Sequence, residues 1–297
     1  MFTGMSAFPL TPLINGKIDT TGFTSLIQNL AEAGVDSIGA LGSTGSYAYL
    51  TREQRYCATK LAVSAAAGIP VITSIGAVRT DEVLKLAEDA QKAGVSGVLL
   101  APVSYQPLTA QEVYQLYERV TAELSVPLCI YDNAATTKFE FSDELLVSLS
   151  HLPNIGSIKL GEFPAEQDMA KRRVETLKNQ IPQGVSLGIS GDAQAAAGLL
   201  AGCEIWYSVL GGLFPQYALN LTQVALSGDV TKTRQLNSAV EPLWGFYRRH
   251  GSLRVIASVA EIQGTVQSPC LPFPLQTLNG SEMRALEATL KQLSFLE

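Results

Sequence analysis

Tyr131 and Lys159 are spaced as a pair that could carry out covalent chemistry. Lys159 ends a short apolar run inside Ile155–Glu162, which reads Ile-Gly-Ser-Ile-Lys-Leu-Gly-Glu. Twenty-eight residues earlier a similar run, Pro127-Leu-Cys-Ile-Tyr131, ends in a phenol. A charged amine does not belong inside such a strand unless it is paired, solvated or put to use. If the two runs are neighbouring parallel strands, about 4.8 Å apart, both polar tips address the same spot. A partly desolvated lysine beside a phenol can attack a ketone and form a Schiff base. On residue type alone a second reading stays open: a lysine at a strand end whose amine extends to water.

A third feature is Gly42-Ser43-Thr44-Gly45. Glycines let the backbone curl so that N–H groups converge, and Ser43 and Thr44 add hydroxyl donors, which suits a carboxylate or a phosphate. The same string also makes an ordinary turn. Combined with an inward lysine it describes a carboxylate clamp plus an amine nucleophile, the parts of a 2-keto acid site.

Bringing these groups together needs a scaffold, and the chain repeats one. Ala-Gly-Val-Asp-Ser-Ile at 33–38, Ala-Gly-Val-Ser-Gly-Val at 93–98 and Ala-Gly-Cys-Glu-Ile-Trp at 201–206 each put Gly where a helix C-cap belongs, followed by a short strand. Eight strands are expected: Gly4–Phe8, Ser37–Ala40, Val71–Ile75, Gly97–Leu100, Leu128–Tyr131, Ile155–Lys159, Ser186–Ile189 and Glu204–Val209. Helical stretches separate them, one opening on the capping-box pattern Thr51-x-x-Gln54. Short apolar strands alternating with helices imply a parallel sheet covered by helices. The fold class is therefore α/β, a (β/α)8 TIM barrel, whose usual size of about 250 residues fits. A doubly wound open sheet competes, but it wants a Gly-x-Gly-x-x-Gly turn after an early strand, and Gly42–Gly45 does not match. Past Gly228 strand signals stop, and 231–250, 252–263 and 281–296 read as three helices. The expected division is a barrel over 1–228 and a C-terminal three-helix extension over 229–297. In a barrel the C-terminal strand ends face the active site. They hold one lysine, hydroxyls and glycine loops, with Tyr105, Tyr131, Thr136 and Tyr207 among them.

Composition narrows the partners. With 27 acidic and 21 basic residues and a net charge of −6, the chain lacks the basic footprint that nucleic acid or an anionic membrane requires. No apolar run approaches the roughly 20 residues of a membrane span. The start, Met1-Phe-Thr-Gly-Met-Ser, has no signal-peptide pattern. Cys57, Cys129, Cys203 and Cys270 read as reduced core residues of a cytoplasmic protein. With only His151 and His250, no metal site is expected. His151 instead suits the last carbonyls of a helix.

The set Gly-Ser-Thr-Gly at 42–45, Tyr131, Ile158-Lys159 and Ser190-Gly-Asp-Ala193 resembles the dihydrodipicolinate synthase/N-acetylneuraminate lyase family of class I aldolases, over nearly the whole chain and in the same order. The resemblance implies a homo-oligomer, tetramer or dimer, that acts on a small 2-keto acid without a cofactor. By the same resemblance Lys159 would form the Schiff base and Tyr131 would move protons, aided by Thr44 and Tyr105. Ser43, Thr44 and Gly45 would bind the keto-acid carboxylate, with Tyr207 and Thr136 lining the pocket. Three departures stand out. Ser46 replaces the glutamate of the family's Gly-Thr-Thr-Gly-Glu loop. Val103-Ser104-Tyr105 replaces a pair of tyrosines, one of which enters the neighbouring subunit. Ala135-Thr136-Thr137 lacks the arginine that holds the second substrate of the synthases.

An iminium on Lys159 is an electron sink, so C3 can lose a proton or a C3–C4 bond can break. The expected activity is aldol cleavage or condensation, or dehydration, of a 2-keto-3-deoxy acid type substrate. Three alternatives remain at this level: the family's synthase reaction of pyruvate with aspartate semialdehyde, a barrel that binds a keto acid without turnover, and a phosphate-binding isomerase using Gly42–Gly45.

Overall fold

In the computed structural model eight parallel strands close into a barrel in chain order. They are β1 (Gly4–Ala7), β2 (Ser37–Ala40), β3 (Val71–Ser74), β4 (Gly97–Leu100), β5 (Leu128–Tyr131), β6 (Ile155–Leu160), β7 (Ser186–Ile189) and β8 (Ile205–Ser208). Each pairs with the next, and β8 closes on β1 from Gly4↔Ile205 to Ala7↔Ser208. The eight segments expected from the sequence are these strands, each end within one residue. The structure describes residues 1–161, 163–164 and 166–296. Glu162, at the end of the lysine stretch, Ala165, inside the helix expected over 164–180, and Glu297 lie outside the described residues.

The strands are apolar throughout because both faces are covered. Ile38, Val98, Ile130, Ile158, Leu187 and Trp206 belong to the layer beneath the helices. Alternation then turns Ile72, Leu99, Cys129, Tyr131, Ile205 and Tyr207 into the barrel lumen, where they form a separate cluster with Phe2 and Phe8. The helices between strands are α1 (Thr20–Ala33), α2 (Arg52–Ala65), α3 (Thr80–Ala93), α4 (Ala110–Thr121), α5 (Asp143–Ser150), α6 (Gln167–Lys178), α7 (Ala195–Ala201) and α8 (Pro215–Leu226). The repeated Ala-Gly step ends three of them. Gly34, Gly94 and Gly202 cap α1, α3 and α7 in the left-handed conformation, which glycine adopts without a Cβ penalty. The capping box expected at Thr51 is formed with Gln54. His151 bonds through Nδ1 to the Val147 carbonyl at 2.9 Å, at the end of α5.

The structure departs from the sequence reading in three places. A small antiparallel hairpin, Leu13–Ile14 with Lys17–Ile18, follows β1; its strands are too short to leave a periodic signal. The extension holds four helices, not three: α9 (Val230–Ala239), α10 (Glu241–His250), α11 (Ser252–Ile262) and α12 (Gly280–Gln292). The helix expected over 231–250 breaks at Val240, because Pro242 in the first turn of α10 has no N–H to continue the ladder. Cys57 is exposed on α2, whereas Cys129, Cys203 and Cys270 are buried; all four are free thiols.

Buried Leu243, Trp244, Val255, Ile256 and Leu286 join the extension to the same apolar layer as the barrel. Glu261 holds the segment between α11 and α12 by accepting from Ser268, Thr277 and the Cys270 N–H, each at 3.0 Å. The Cys270 carbonyl in turn accepts from Leu13 N–H of the hairpin at 2.9 Å. Among the described residues no helix is long and apolar enough to cross a membrane. Leu286 is fully buried on α12. Leu286→Ala is expected to destabilise the protein by about 2–5 kcal/mol, read as a lowered midpoint in denaturant or thermal unfolding.

Candidate active site

Tyr131 and Lys159 are register partners on β5 and β6, so alternation turns both into the lumen at the same height. Lys159 is 3% exposed. Its Nζ lies 3.9 Å from the ring centroid of Phe8, 4.1 Å from that of Tyr131 and 5.4 Å from that of Tyr207. The amine is thus boxed by aromatic rings from β1, β5 and β8, and the reading in which it extends to water is excluded. Among the described residues no carboxylate is within ion-pair reach of it. Glycines make the box possible. A Cβ at Gly39 or Gly42 would fall 2.3 or 2.4 Å from Phe8 ring atoms, and one at Gly188, the register partner of Lys159 on β7, 2.3 Å from the Tyr207 ring.

Burial sets the proton affinities. It draws the Lys159 amine down to about 7, against smaller opposing effects of Cys129 and Asp192. A sizeable fraction is then uncharged near neutrality, as a nucleophilic amine requires. Burial also pushes the Tyr131 phenol up to about 12, with hydrogen bonds from Ser43 and Ser190 working the other way. Tyr131 is therefore protonated in the resting site. Its Oη lies 3.3 Å from Ser43 Oγ and accepts from Asn133 Nδ2 at 2.9 Å; the same amide donates to Ser43 Oγ at 3.3 Å.

The Gly42–Gly45 loop meets this cluster from β2. Ser43 touches Tyr131 directly, and Thr44 is buried beside it in sequence. Ser46 N–H donates to the Ser43 carbonyl at 3.1 Å, closing the turn. The N–H groups of Ser43, Thr44 and Gly45 have no acceptor among the described residues. They are donors in want of an anion, next to the amine, which is what a carboxylate clamp needs.

Beneath the amine the lumen carries a hydrogen-bonded polar chain on its β5 to β8 side, while Ser6 and Ser37 Oγ are buried with no partner among the described residues. Tyr207 Oη bonds Ser157 Oγ at 2.6 Å and accepts from Cys129 Sγ at 3.3 Å, while Ser186 donates to Ser157 Oγ at 2.9 Å. Tyr207 therefore offers its ring to the site and keeps its hydroxyl in the layer below. Asp192 is buried at the mouth and accepts from Trp206 Nε1 at 3.0 Å, Val209 N–H at 3.1 Å and Leu210 N–H at 2.6 Å. It ties the β7 loop to the β8 loop, and burial raises its carboxyl to about 6.

Two expected site residues are not brought into the cluster. Tyr105 is 90% exposed on the loop after β4. Thr136 lies in the exposed turn Ala134–Thr137, its hydroxyl turned back to the Asn133 carbonyl at 3.3 Å. The reason is local: both loops leave the barrel mouth before these residues. Sequence reasoning passed over Asn133 and Phe8. Asn133 lies two residues past the phenol, and Phe8 directly follows β1, so position at a strand end was the available signal.

Lys159 also leaves a mark on stability. The unfolded chain holds this proton up to its ordinary 10.5 and the folded chain releases it near 7. Between those values the unfolded state binds more protons, so this group makes stability rise with pH across that window. Lys159→Met is expected to be more stable than wild type at pH 7, with an advantage that shrinks toward pH 10.5, as followed by thermal unfolding.

The chain matches the dihydrodipicolinate synthetase family over residues 1–293. The 4-hydroxy-tetrahydrodipicolinate synthase of Phenylobacterium zucineum (strain HLK1) is 30% identical over 234 residues, covering 77% of this chain and 76% of that one. That of Laribacter hongkongensis (strain HLHK9) is 26% identical over 301 residues and covers the whole of both chains. The crystal structure of dihydrodipicolinate synthase from Agrobacterium tumefaciens superimposes with a TM-score of 0.94 at 42% identity, over 98% of each chain. The chain belongs to the dihydrodipicolinate synthetase family, and is a pyruvate-using lyase of the Schiff-base aldolase class.

Proposed function

We propose that Lys159 forms the Schiff base with C2 of pyruvate or of a 2-keto-3-deoxy acid, and that the enzyme cleaves, forms or dehydrates the bond beyond C3. The observation that carries this is a buried amine, drawn toward neutrality, with its Nζ 4.1 Å from the Tyr131 ring and no carboxylate partner among the described residues. Tyr131 gives its proton to the C2 oxygen as water leaves, and the iminium then takes up electrons from a C3–H or C3–C4 bond. The unpartnered N–H groups of Ser43, Thr44 and Gly45, with the two hydroxyls, hold the C1 carboxylate. Tyr207 shapes the pocket with its ring, and Asn133 fixes the Tyr131 hydroxyl. The barrel, 1–228, supplies all of these groups, and 229–297 supports it from outside. Thr136 and Tyr105 act only at the rim, Tyr105 by meeting a second copy in a cytoplasmic dimer or tetramer.

Condensation of pyruvate with aspartate semialdehyde is the second reading, favoured by the names of the relatives. Against it stands the loop after β5. Ala135, Thr136 and Thr137 offer no guanidinium, and Lys138 Nζ is folded onto the Ala135 carbonyl at 2.8 Å. An acceptor carboxylate finds no bidentate donor in this turn.

Pyruvate with borohydride is expected to add a reduced pyruvyl group to the peptide carrying Lys159, and to leave Lys159→Arg unmodified. Tyr131→Phe should slow turnover by about 10²–10⁴-fold. Release of pyruvate from a panel of 2-keto-3-deoxy sugar acids supports the first reading. Consumption of aspartate semialdehyde with pyruvate, and no release from the panel, supports the second.

A further inference from the structure

Three polar side chains meet the Tyr131 oxygen, and they are not chemically alike. Ser43 and Ser190 bring hydroxyls, which can give a proton or take one. Asn133 brings the nitrogen of an amide, which can only donate. Its Nδ2 lies 2.9 Å from Tyr131 Oη and 3.3 Å from Ser43 Oγ, and those two oxygens are themselves 3.3 Å apart. The amide thus closes a triangle with the phenol of β5 and the hydroxyl of the β2 loop. Its backbone is pinned in turn. Asn133 directly precedes the turn Ala134–Thr137, and its carbonyl accepts from the Thr136 N–H, the Thr137 N–H and the Thr137 hydroxyl, each at 3.0 Å. Behind it Gly161 keeps the chain close: a Cβ there would stand 2.3 Å from the Asp132 carbonyl oxygen and 3.4 Å from Asn133 Cα.

A partner that donates and cannot accept acts in one direction. The phenol proton cannot point at Asn133 Nδ2, so it is turned toward Ser43, Ser190 or a substrate oxygen. Once that proton has left, the amide bond becomes charge-assisted and strengthens. The aid matters because burial pushes the phenol up to about 12, and a buried oxyanion is costly unless donors meet it. Tyr105, 90% exposed, does not join the triangle.

We propose that Asn133 is the positioning residue that holds the Tyr131 oxyanion between its two proton transfers, so that this step is completed within one chain. The proposal rests on the Schiff-base reading. Tyr131 gives its O–H proton to the C2 hydroxyl, the C2–O bond breaks, and water leaves the iminium. The phenolate, held by the amide N–H, then takes a proton from C3, and the C3–H electron pair moves into the iminium to give the enamine. Tyr131 is again a phenol, and its proton exchanges with solvent before it returns to C3. No oxidant or further reactant enters.

The test needs only pyruvate. Exchange of its methyl protons in D₂O, followed by NMR, reports proton traffic at C3, and borohydride trapping reports the Schiff base. Wild type is expected to show both. Asn133→Leu keeps the size and removes the donor, and should lower exchange at saturating pyruvate by about tenfold or more, with half-saturation and the extent of trapping unchanged. Asn133→Asp supplies the pH signature. Its carboxyl donates to Tyr131 only when protonated, so exchange relative to wild type should rise as pH falls from about 8 to about 5, toward the carboxyl range. Tyr47, Asp132 and Lys159, the ionisable groups around Tyr131, are common to both proteins and leave the ratio. Wild-type exchange in Asn133→Leu, a ratio for Asn133→Asp that does not change with pH, or loss of trapping together with exchange in Asn133→Leu would each overturn the assignment. So would a wild type that is trapped but does not exchange. A wild type that is neither trapped nor exchanges overturns the Schiff-base reading itself.

Discussion

The desolvation of one amine is the constraint to which the lumen of this barrel is fitted. Lys159 has given up water for three aromatic rings, and among the described residues it gains no carboxylate in return. In water an ammonium is strongly solvated; inside the barrel the neutral amine is the form that costs less. The charge is therefore pushed off the group whose lone pair the chemistry needs. The fold supplies the stability that holds such a group inside, through the double-sided burial of the strands and the apolar layer beneath the helices.

Small residues make the rest of the arrangement possible. Gly39 and Gly42 leave the space that Phe8 fills, and Gly188 leaves the space for Tyr207. Side chains there would close the box or displace its walls. Below the amine, the Cys129, Tyr207, Ser157 and Ser186 chain satisfies its own polar atoms, so it does not compete for the amine. Asp192 is buried too, and its three donors fix the β8 loop while its carboxyl stays close enough to act on Lys159.

The loops after β2, β4 and β5 divide the work at the mouth. The β2 loop turns inward and brings Ser43, Thr44 and then Tyr47 to the ends of the neighbouring strands. The β5 loop brings Asn133 onto Tyr131 and then turns outward, carrying Thr136 and Lys138 to the surface. The β4 loop leaves Tyr105 outside altogether. The Tyr131 hydroxyl is thus met by the Ser43 hydroxyl and the Asn133 amide.

Strand positions, the barrel and the Tyr131–Lys159 pair were legible in the sequence, because each depends on local patterns: alternation, Ala-Gly caps and a polar residue at a strand end. Ser43 and Thr44 were legible for the same reason, as hydroxyls in a glycine-bounded turn. Period 2 even determined that Tyr131 and Lys159 would share a face if their strands were neighbours. What only the tertiary structure decided was which distant groups fill the space around them. Phe8 and Tyr207 reach the amine from strands far apart in the chain, and Arg55 reaches the Tyr47 ring from α2. The break at Val240 and the outward turns at Tyr105 and Thr136 depend on how each segment packs, and packing leaves no mark in a local pattern. The amine's proton affinity belongs with them, since burial is a property of everything that surrounds a residue and of nothing in its own neighbours along the chain.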